Sequence, residues 1–489
     1  MSSEKLNILF VASEVVPFAK TGGLADVAGA LPKAIKKLGH DIIVVMPRYY
    51  SIDKSSLTPL TGALGVPMGP MGELWCEVFM TTLPKSDVPI YFIDYENFFG
   101  RSGLYDEEGI AYTDNDNRFI FLSKAALQLS KKISFNPDIV HANDWHTAML
   151  PILCQTRFHT DFASCASVLT IHNLQHQGDF FKGVMDVMEV GWEHFNPMEF
   201  EKYGHVNFLR GGIAHADAIT TVSKKYAYEI QTPEFGFGLE EHIRAHRSKL
   251  FGILNGVDYE EWNPATDEKI AEKFDIDDID GKTVCKADLQ KQFGLKVDSS
   301  VPLLGFVGRF AEQKGISLIA EIIKGLLALD MQIVMLGTGE RWAEFYFGET
   351  AAKHQDKFGL HVGYNDALAH KIEAGSDMFL MPSLFEPCGL NQIYSLRYGT
   401  LPIVRATGGL DDTIVNFESS NPKSNGFKFY EASAGALYNT IKWAIEIYNN
   451  NKSDFLEMRE RAMQMRFNWD KAAQSYEEVY RFALDKHRN

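Results

Sequence analysis

The chain alternates buried strands with helices, and it starts this alternation twice. In the first half, an apolar run at 6–12 precedes a glycine-containing turn, a helical pattern over about 24–38 and a second apolar run at 41–46. The same order of strand, helix and strand begins again at residue 301. Strand, helix and parallel strand form a βαβ unit, from which doubly wound sheets are built. The sequence therefore predicts an α/β protein with two Rossmann-like domains.

The length supports this division, because 489 residues exceed the size at which a single hydrophobic core stops growing. The segment 254–269 is rich in turn residues and is the predicted hinge. We therefore expect one domain at 1–257 and a second at 258–470. The last residues, 471–489, are predicted to form a helix that no strand follows. The acidic stretch 274–282 is predicted to be a solvated loop.

The turn after the first strand carries Lys20, followed by Gly22 and Gly23. A purely structural turn needs the glycines but gains nothing from the lysine. A negatively charged ligand would use both, because a helix N-terminus presents unpaired N–H groups and the positive end of the helix dipole. Pro32 falls inside the helical pattern that follows and is predicted to kink or interrupt that helix.

Charge and cysteine usage exclude several classes of protein. The net charge of −16 argues against nucleic acid and anionic membrane surfaces, which are bound through Lys and Arg. The five cysteines include no CxxC pair, which indicates reduced thiols rather than a disulfide framework. The sequence shows neither a signal peptide nor an apolar run long enough to span a membrane. We expect a cytoplasmic protein with no nucleic acid or membrane partner.

Polar and charged side chains follow the predicted strands at their carboxyl ends, where open α/β sheets bind ligands. They lie in four stretches: 141–147 with Asp144, 170–178 with His172, 308–315 with Arg309 and Lys314, and 382–392 with Glu386, Cys388 and Gly389. The tetrapeptide TGGL occurs at 21–24 and again at 407–410, each time before a predicted helix. Their shared position favours a ligand-binding function over a purely structural one.

The sequence predicts no metal site. The D-x-D at 114–116 has the form that metal-dependent sugar transferases use, but it precedes a clear helix, so helix capping is the preferred interpretation. Two histidine pairs, His141 with His146 and His172 with His176, lack a carboxylate third ligand at a zinc-like spacing.

Taken together, these motifs resemble those of the bacterial glycogen synthases and plant starch synthases. The residues that carry the resemblance run in order along nearly the whole chain: Lys20 to Leu24, His141 to His146, Arg309 with Lys314, Glu386 to Leu390, and Thr407 to Leu410. The resemblance implies a B-type glycosyltransferase fold, in which two Rossmann-like domains face a cleft and the C-terminal helix crosses back to the N-terminal domain. The N-terminal domain would be on the acceptor side, and the C-terminal domain would bind the nucleotide sugar.

The implied reaction is the retaining transfer of glucose from ADP-glucose to the non-reducing end of an α-1,4-glucan such as glycogen. Neither a metal nor a cofactor is implied. The choice of ADP-glucose over UDP-glucose rests on the resemblance alone, and the sequence leaves acceptor chain length, regulation and oligomeric state open. The start at Met1 without a Ser- and Arg-rich leader favours a bacterial-type enzyme over a plastid one.

The resemblance also implies roles for single residues. The catalytic set would be Glu386, the family's essential glutamate, with Asp144 and His172 facing the glucose from the other side. The substrate-binding set is larger. It comprises Lys20 and Gly23 at the first turn, Arg309 and Lys314 on the diphosphate, Tyr364 on the adenine, Cys388 and Gly389 beside the sugar, and Thr407, Gly408 and Gly409 at the distal phosphate. Many retaining relatives carry a second glutamate eight positions after the first, where this chain has Tyr394.

Three other classes of protein remain as alternatives. A nucleotide-dependent dehydrogenase would share the Rossmann-like halves, but the first turn lacks GxGxxG. A non-catalytic glucan-binding protein would not need Lys20, Arg309, Lys314 and Glu386 together. A phosphorylase of the same fold would need a lysine carrying pyridoxal phosphate, whose absorbance band would reveal it.

Overall fold

The computed structural model describes residues 4–107 and 109–488. The chain forms two compact units. The first consists of Met1–Gly256 together with Trp469–Asn489, and the second of Val257–Asn468. The chain therefore leaves the first unit within the turn-rich segment 254–269 and returns to it at its last helix.

The first unit is built around a largely parallel sheet. The strands of the first unit are β1 (Asn7–Val11), β2 (Asp41–Pro47), β3 (Thr58–Pro59), β4 (Leu64–Pro67), β5 (Glu73–Thr82), β6 (Pro89–Asp94), β7 (Asp106–Glu107), β8 (Ile110–Ala111), β9 (Ile139–Asn143), β10 (Ala166–Ile171), β11 (Asp179–Phe181), β12 (Glu201–Lys202), β13 (His205–Asn207), β14 (Ala218–Thr221) and β15 (Leu250–Gly252). The main sheet has the order β15-β14-β10-β9-β1-β2-β6-β5-β3, with β4 paired to β5.

The strands from β15 to β6 pair in parallel, whereas β5 runs antiparallel to β6, β3 and β4. The central strands β9 and β10 are buried along their whole length. Strands covered on both faces read as continuous apolar runs, which is why the sequence predicts them well.

The helices of the first unit up to residue 256 are α1 (Gly23–Lys37), α2 (Glu96–Phe99), α3 (Asn115–Lys132), α4 (Leu150–Gln155), α5 (His159–Phe162), α6 (Val184–Met188), α7 (Phe208–His215), α8 (Lys224–Glu229) and α9 (Glu240–Ala245). Single 3₁₀ turns lie at Lys54–Ser56, Gly69–Met71, Trp192–His194 and Arg247–Lys249. Helix α1 runs from Gly23 to Lys37 with Pro32 inside it, so the predicted interruption is wrong. Pro32 is buried, and its tertiary packing offsets the helical hydrogen bond that it cannot make.

The second unit repeats the plan with a fully parallel sheet in the order β18-β17-β16-β19-β20-β21. Its strands are β16 (Leu303–Val307), β17 (Gln332–Gly337), β18 (Phe358–Val362), β19 (Met378–Met381), β20 (Leu401–Arg405) and β21 (Phe427–Phe429). Its helices are α10 (Asp280–Gln292), α11 (Ile316–Leu327), α12 (Arg341–Lys353), α13 (Asp366–Gly375), α14 (Asn391–Arg397), α15 (Gly408–Thr413), α16 (Ala434–Asn450) and α17 (Lys452–Gln464), with a 3₁₀ turn at Glu312–Lys314. The predicted α/β class is confirmed.

Only part of the stretch 274–282 is the solvated loop that its acidic composition predicts. Helix α10 begins inside it at Asp280, and both Phe274 and Lys282 are buried. The Lys282 ammonium donates hydrogen bonds to Ala374 O at 2.9 Å, Tyr398 O at 2.9 Å and Thr400 Oγ1 at 2.7 Å. Burial holds the pKa of Lys282 well below its ordinary value. Composition alone cannot reveal a lysine that is buried by partners about a hundred residues away.

The last helix, α18 (Trp469–Arg488), packs on the first unit through a buried hydrogen-bond relay. The Tyr480 hydroxyl lies 2.8 Å from His141 Nδ1, and His141 Nε2 lies 2.7 Å from Thr170 Oγ1. Thr170 Oγ1 in turn lies 2.6 Å from Thr220 Oγ1. The relay crosses α18, β9, β10 and β14, and it gives His141 a structural role.

Two further sequence predictions bear on the environment of the protein. Within the described residues, no helix combines the length and the apolar character needed to cross a membrane. All five cysteines are buried, and they are not joined by disulfide bonds: Cys76, Cys154, Cys165, Cys285 and Cys388.

We expect Tyr480→Phe to lower the free energy of unfolding by about 1–3 kcal/mol, because it leaves the buried Nδ1 of His141 without its partner. Urea denaturation followed by circular dichroism measures the change. Tyr50→Phe is the control, since Tyr50 is 67% exposed and its substitution should leave the transition in place. Equal transitions for wild type and Tyr480→Phe would contradict the structural role of the relay.

Candidate active site

In each unit the predicted site residues follow strands that flank a topological switch point. In the first unit, β1 lies between β2 and β9, and Lys20 follows β1 while Asp144 follows β9. In the second unit, β16 lies between β17 and β19, with Lys314 after β16 and Glu386 after β19. The crevice at such a point, outside the carboxyl ends of the strands, is where doubly wound sheets bind ligands.

The turn after β1 is organised by Glu14, a buried carboxylate that the sequence analysis did not single out. Glu14 accepts hydrogen bonds from the Thr21 hydroxyl at 2.6 Å, the Gly22 N–H at 3.2 Å and the Thr21 N–H. The Tyr105 hydroxyl also donates to Glu14, at 2.6 Å. Glu14 therefore fixes the path of the backbone immediately before α1. An acidic residue between an apolar strand and a glycine turn was the available signal.

Lys20 projects from this turn, and its ammonium lies 2.7 Å from Asp26 Oδ1 in the first turn of α1. The Lys20 side chain is 49% exposed, so it can leave this partner for a ligand at little cost. A Cβ on Gly22 or Gly23 would meet nothing within 4 Å. Gly22 is also extended, with φ at −154°. The packing of the protein therefore does not require glycine at either position.

The structure brings Asp144 and His172 together. Asp144 Oδ1 accepts the backbone N–H of His172 at 2.7 Å and that of Asn173 at 3.4 Å. Asp144 directly follows β9 and has a left-handed backbone conformation, with φ at +54°. Non-glycine residues rarely adopt this conformation, which costs about 1–3 kcal/mol and clusters at functional sites.

Asn143 determines which nitrogen of His172 carries the proton. The Asn143 side chain donates from Nδ2 to Val11 O at 3.0 Å, so its Oδ1 is left as an acceptor. His172 Nε2 lies 3.0 Å from that oxygen and must donate to it. The neutral ring consequently has its lone pair on Nδ1, where it can accept a hydrogen bond from a ligand hydroxyl. The sequence analysis did not select Asn143.

Burial dominates the acid–base properties of this group. It raises the pKa of Asp144 to about 7, although the backbone N–H groups of His172 and Asn173 oppose the shift. It lowers the pKa of His172 to about 3. His172 is therefore neutral near pH 7, whereas Asp144 exists in both protonation states.

In the second unit the structure brings Lys314 and Glu386 together. The Lys314 ammonium lies 2.6 Å from Glu386 Oε2, and the Ser383 hydroxyl donates to the same oxygen at 2.9 Å. The Glu386 side chain is only 7% exposed, whereas that of Lys314 is 24% exposed. A carboxylate with these two donors has a fixed orientation. Its partner Lys314 remains accessible to a negatively charged ligand.

The second TGGL packs its backbone directly against the segment that carries Glu386. The Gly409 N–H donates to Glu386 O at 3.1 Å. A Cβ on Gly408, whose φ is +45°, would lie 1.9 Å from Glu386 O, and a Cβ on Gly409 would lie 1.9 Å from Cys388 O. Only glycine allows this approach, so the turn is a structural support of Glu386.

The remaining predicted residues of the second unit differ in their surroundings. Cys388 and Thr407 are buried beside the glycine turn, and Gly389 has a φ of +70° at the start of α14. Arg309 follows β16, and its guanidinium lies 3.3 Å from Gln313 Oε1. Tyr364 follows β18 and is 86% exposed. The structure does not bring Tyr364 into contact with the Glu386 group.

Tyr394 occupies the position where many retaining glycosyltransferases carry a second glutamate. Its ring stacks on Trp262 with centroids 4.1 Å apart and planes at 6°. Trp262 also stacks on His370, with ring centroids 3.7 Å apart and planes at 13°. Tyr394 is therefore part of an aromatic stack in the core of the second unit.

The capping interpretation of the D-x-D at 114–116 needs correction. Asp114 is the residue before α3, yet its side chain makes no capping hydrogen bond. It pairs instead with both terminal nitrogens of Arg101, at 2.7 and 2.6 Å. A bidentate ion pair is stronger than a hydrogen bond to the helix N-terminus, so the arginine captures the carboxylate.

Known proteins resemble this chain along nearly its whole length. Residues 7–245 match the sequence family described as "Starch synthase catalytic domain", and residues 289–464 match "Glycosyl transferases group 1". "Glycogen synthase 1" of Geobacter sulfurreducens is 54% identical over 99% of this chain and 97% of the relative. The glycogen synthase of Anaeromyxobacter sp. is 44% identical over 97% of this chain and 99% of the relative.

Among solved structures, the catalytic domain of Starch Synthase IV from Arabidopsis thaliana, bound to ADP and acarbose, superposes with a TM-score of 0.91. It is 32% identical and is matched over 99% of this chain and 100% of that one. A sucrose-phosphate synthase from Thermosynechococcus elongatus, 16% identical with a TM-score of 0.58, shares the fold.

The fold and the strand-end residues thus define a glycosyltransferase with the B-type fold. The relatives narrow this class further: the chain belongs to the family of bacterial glycogen synthases and plant starch synthases. The resemblance identified from the sequence motifs is confirmed.

We expect Gly409→Ala to reduce transferase activity by about 10²-fold, because displacement of the Cys388 backbone moves Glu386 by a fraction of an ångström or more. Initial rates at saturating substrates, with circular dichroism as a test of folding, measure the effect. Gly435→Ala is the matched control, since a Cβ there would meet nothing within 4 Å. Full activity in Gly409→Ala would refute the supporting role of the turn.

Asp144→Asn tests the buried carboxyl group. Because its pKa is raised to about 7, folded Asp144 holds a proton that the unfolded chain releases above about pH 4. Its contribution to stability therefore falls as the pH rises from about 4 to 7. Asparagine keeps the acceptor for the His172 N–H but does not titrate. The unfolding free energy of the variant relative to wild type should rise by about 2–4 kcal/mol between pH 5 and pH 8. A pH-independent difference would contradict the raised pKa.

Proposed function

We propose that the protein transfers glucose from ADP-glucose to the non-reducing end of an α-1,4-glucan, with retention of anomeric configuration, in glycogen synthesis. The observation that carries the proposal is the buried Glu386 carboxylate, held by Lys314 and Ser383 against a glycine turn. Membership of the glycogen and starch synthase family supports the reaction, and the ADP bound to the starch synthase IV structure supports the donor.

In this proposal the second unit binds the donor. Arg309 and Lys314 contact the diphosphate, since both follow β16 at the switch point and both carry accessible cationic groups. Thr407, Gly408 and Gly409 lie at the N-terminus of α15, beside the Glu386 segment. Cys388 and Gly389 form the loop next to the sugar. Tyr364 is exposed enough to stack on the adenine ring.

The first unit contributes Lys20, Gly23, Asp144 and His172. The packing of the protein does not require glycine at 22 and 23. In this proposal the two glycines leave room for a phosphate of the donor to approach the backbone closely. Lys20 supplies the full positive charge that a helix N-terminus lacks. Neutral His172 offers its Nδ1 lone pair to a sugar hydroxyl, and Asp144 holds the backbone of His172 in place.

The chemistry explains why these groups are needed. As the bond between sugar C1 and the diphosphate breaks, positive charge develops on the ring and negative charge on the leaving group. The glucan 4-hydroxyl attacks C1 and its proton passes to the departing diphosphate. Cations stabilise the leaving group, and the Glu386 carboxylate stabilises the ring or orients its hydroxyls. Removing one such preorganised partner costs about 2.7–4 kcal/mol of barrier.

We also propose a cytoplasmic location, which is supported by five cysteines that form no disulfide bond with one another. Membership of the glycogen and starch synthase family argues against the alternatives of a non-catalytic glucan-binding protein and a phosphorylase.

The function is tested by incorporation of labelled glucose into glycogen, with ADP-glucose and UDP-glucose assayed side by side. We expect incorporation from ADP-glucose at a higher kcat/KM, with and without EDTA. Glucan binding without incorporation from either donor would refute the enzyme assignment. Preference for UDP-glucose would refute the donor assignment alone.

The roles of Lys20 and Glu386 are separated by their kinetics. Lys20→Gln should chiefly raise KM for ADP-glucose, because it removes binding that ground and transition states share. Glu386→Gln should lower kcat by about 10²-fold or more with little change in donor binding, because its charge is needed most as C1 becomes cationic. Equal and small effects from both substitutions would place the active site elsewhere, while leaving the overall reaction established.

A further inference from the structure

A cluster of two histidines and one glutamate lies in the first unit, away from the proposed active site. His194 Nδ1 is 2.5 Å from Glu199 Oε2, and His215 Nε2 is 2.8 Å from the same oxygen. The three ligand atoms lie within 4.8 Å of one another. Their side chains are 20%, 26% and 13% exposed, so the cluster is enclosed but reachable from solvent.

The hydrogen bonds of Gln155 determine the tautomer of His215. Gln155 Nε2 donates to His215 O at 2.9 Å, and a carbonyl oxygen can only accept. Gln155 Oε1 is therefore the atom that faces His215 Nδ1, at 3.0 Å, and Nδ1 must carry a proton to donate to it. In the neutral ring the lone pair is then on Nε2, and it faces the Glu199 carboxylate.

A lone pair and a carboxylate oxygen 2.8 Å apart repel each other unless a positive charge lies between them. That charge is either a proton, carried by His215 or by Glu199, or a metal ion. Lys249 is close, but its ammonium donates to Ala214 O and Ala216 O and does not occupy the space among the three ligands.

We propose that His194, Glu199 and His215 bind one divalent transition-metal ion, with zinc as the best match. Two imidazoles and one carboxylate form a known zinc donor set, and exposure of the cluster leaves a fourth position for water. Gln155 is the outer partner that orients a metal-binding histidine through its second nitrogen. In a tetrahedral site with bonds of about 2.0 Å the ligand atoms stand about 3.3 Å apart. Small side-chain rotations would open the present contacts to that distance.

The loop that supplies two ligands is already shaped for the site. Asn196 N donates to His194 O, and Glu199 N donates to Asn196 O, both at 3.0 Å. The Arg210 guanidinium of α7 also holds the loop by donating to Pro197 O. His215 is the last residue of the same helix α7. The metal would therefore fasten the 194–199 loop to the end of α7.

The position of the cluster indicates a structural rather than catalytic role. His215 lies two residues before Asp217, whose N–H donates to Ser167 O near the start of β10. His172 follows the opposite, carboxyl end of the same strand. The metal site would thus be at the amino edge of the sheet, and glucose transfer should not depend on it. The inference differs from the metal-free prediction made from the sequence, which considered the D-x-D at 114–116 and the histidine pairs near strand ends but not this cluster.

Among the described residues, a second group has similar side chains, but a lysine ammonium lies among them. Glu261, Asp366 and His370 lie close together. Lys269 Nζ is 2.5 Å from Asp366 Oδ2, 3.4 Å from Glu261 Oε1 and 3.1 Å from His370 Nε2. The lysine already supplies the positive charge there, so this group provides a matched control.

The test uses tag-free, full-length protein that has been stripped with a chelator and titrated with Zn²⁺ against a chromophoric competitor. We expect one zinc ion per chain, and a rise in the thermal midpoint of about 5 °C or more at 100-fold excess over Kd. Glu199→Gln and His215→Asn should each weaken binding by well over 10-fold, and Gln155→Ala by about 10–100-fold. Asp366→Asn should leave zinc binding unchanged.

Substitution with Co²⁺ provides a second readout, because a four-coordinate site gives visible absorption bands that Glu199→Gln should abolish. Glu199 lies on a partly exposed loop, so this variant is expected to fold even if His215→Asn does not. Absence of zinc binding would overturn the proposal and leave a proton as the shared charge. Equal zinc binding in wild type and Glu199→Gln would overturn it as well. EDTA should lower the thermal midpoint of zinc-loaded protein without abolishing transfer, which keeps this test separate from that of the proposed function.

Discussion

The close approach of two backbone segments is the constraint on which the site residues of the second unit depend. The turn at Gly408 and Gly409 comes so near to the segment of Glu386 and Cys388 that a single methyl group on either glycine would overlap a carbonyl oxygen. The Glu386 carboxylate is held on its other side by Lys314 and Ser383. A group fixed from both sides needs no reorganisation during a reaction, which is the property that makes buried electrostatic groups effective.

Much of this could be predicted from the sequence, for identifiable reasons. Parallel strands that are covered on both faces produce continuous apolar runs, and polar residues directly after such runs must emerge at one edge of the sheet. The α/β class and the family are confirmed. The pairs Asp144 with His172, and Lys314 with Glu386, were selected separately and are in direct contact in the structure. The individual roles of these residues stay predictions.

What the sequence did not reveal are polar residues whose partners are distant along the chain. Glu14 binds the turn at Thr21 and Gly22 and is itself held by Tyr105, 91 residues away. Asn143 orients His172 through a bond to Val11. Two of the wrong predictions also arose because a short stretch of sequence does not show the partner of a charged side chain. Lys282 lies in an acidic, glycine-containing stretch but is buried by carbonyl groups about a hundred residues further on. Asp114 was expected to cap a helix, but Arg101 binds it more strongly. Local composition does not specify which of several possible partners a charged group finds in the folded chain.

The division of the chain also has a consequence for its synthesis on the ribosome. The first unit is completed by α18, which is translated after the whole second unit, so β9 and β10 emerge long before the helix that covers them. Residues 257–468 must be made in between, which takes roughly 10–40 s at ordinary translation rates. During that interval His141 has no Tyr480 to bond, and the apolar surface around it is open to water. The second unit, by contrast, is continuous in sequence and can fold as soon as it leaves the ribosome. The second unit is therefore completed before the first. A chain truncated before α18 would leave the first unit without the helix that packs on its sheet.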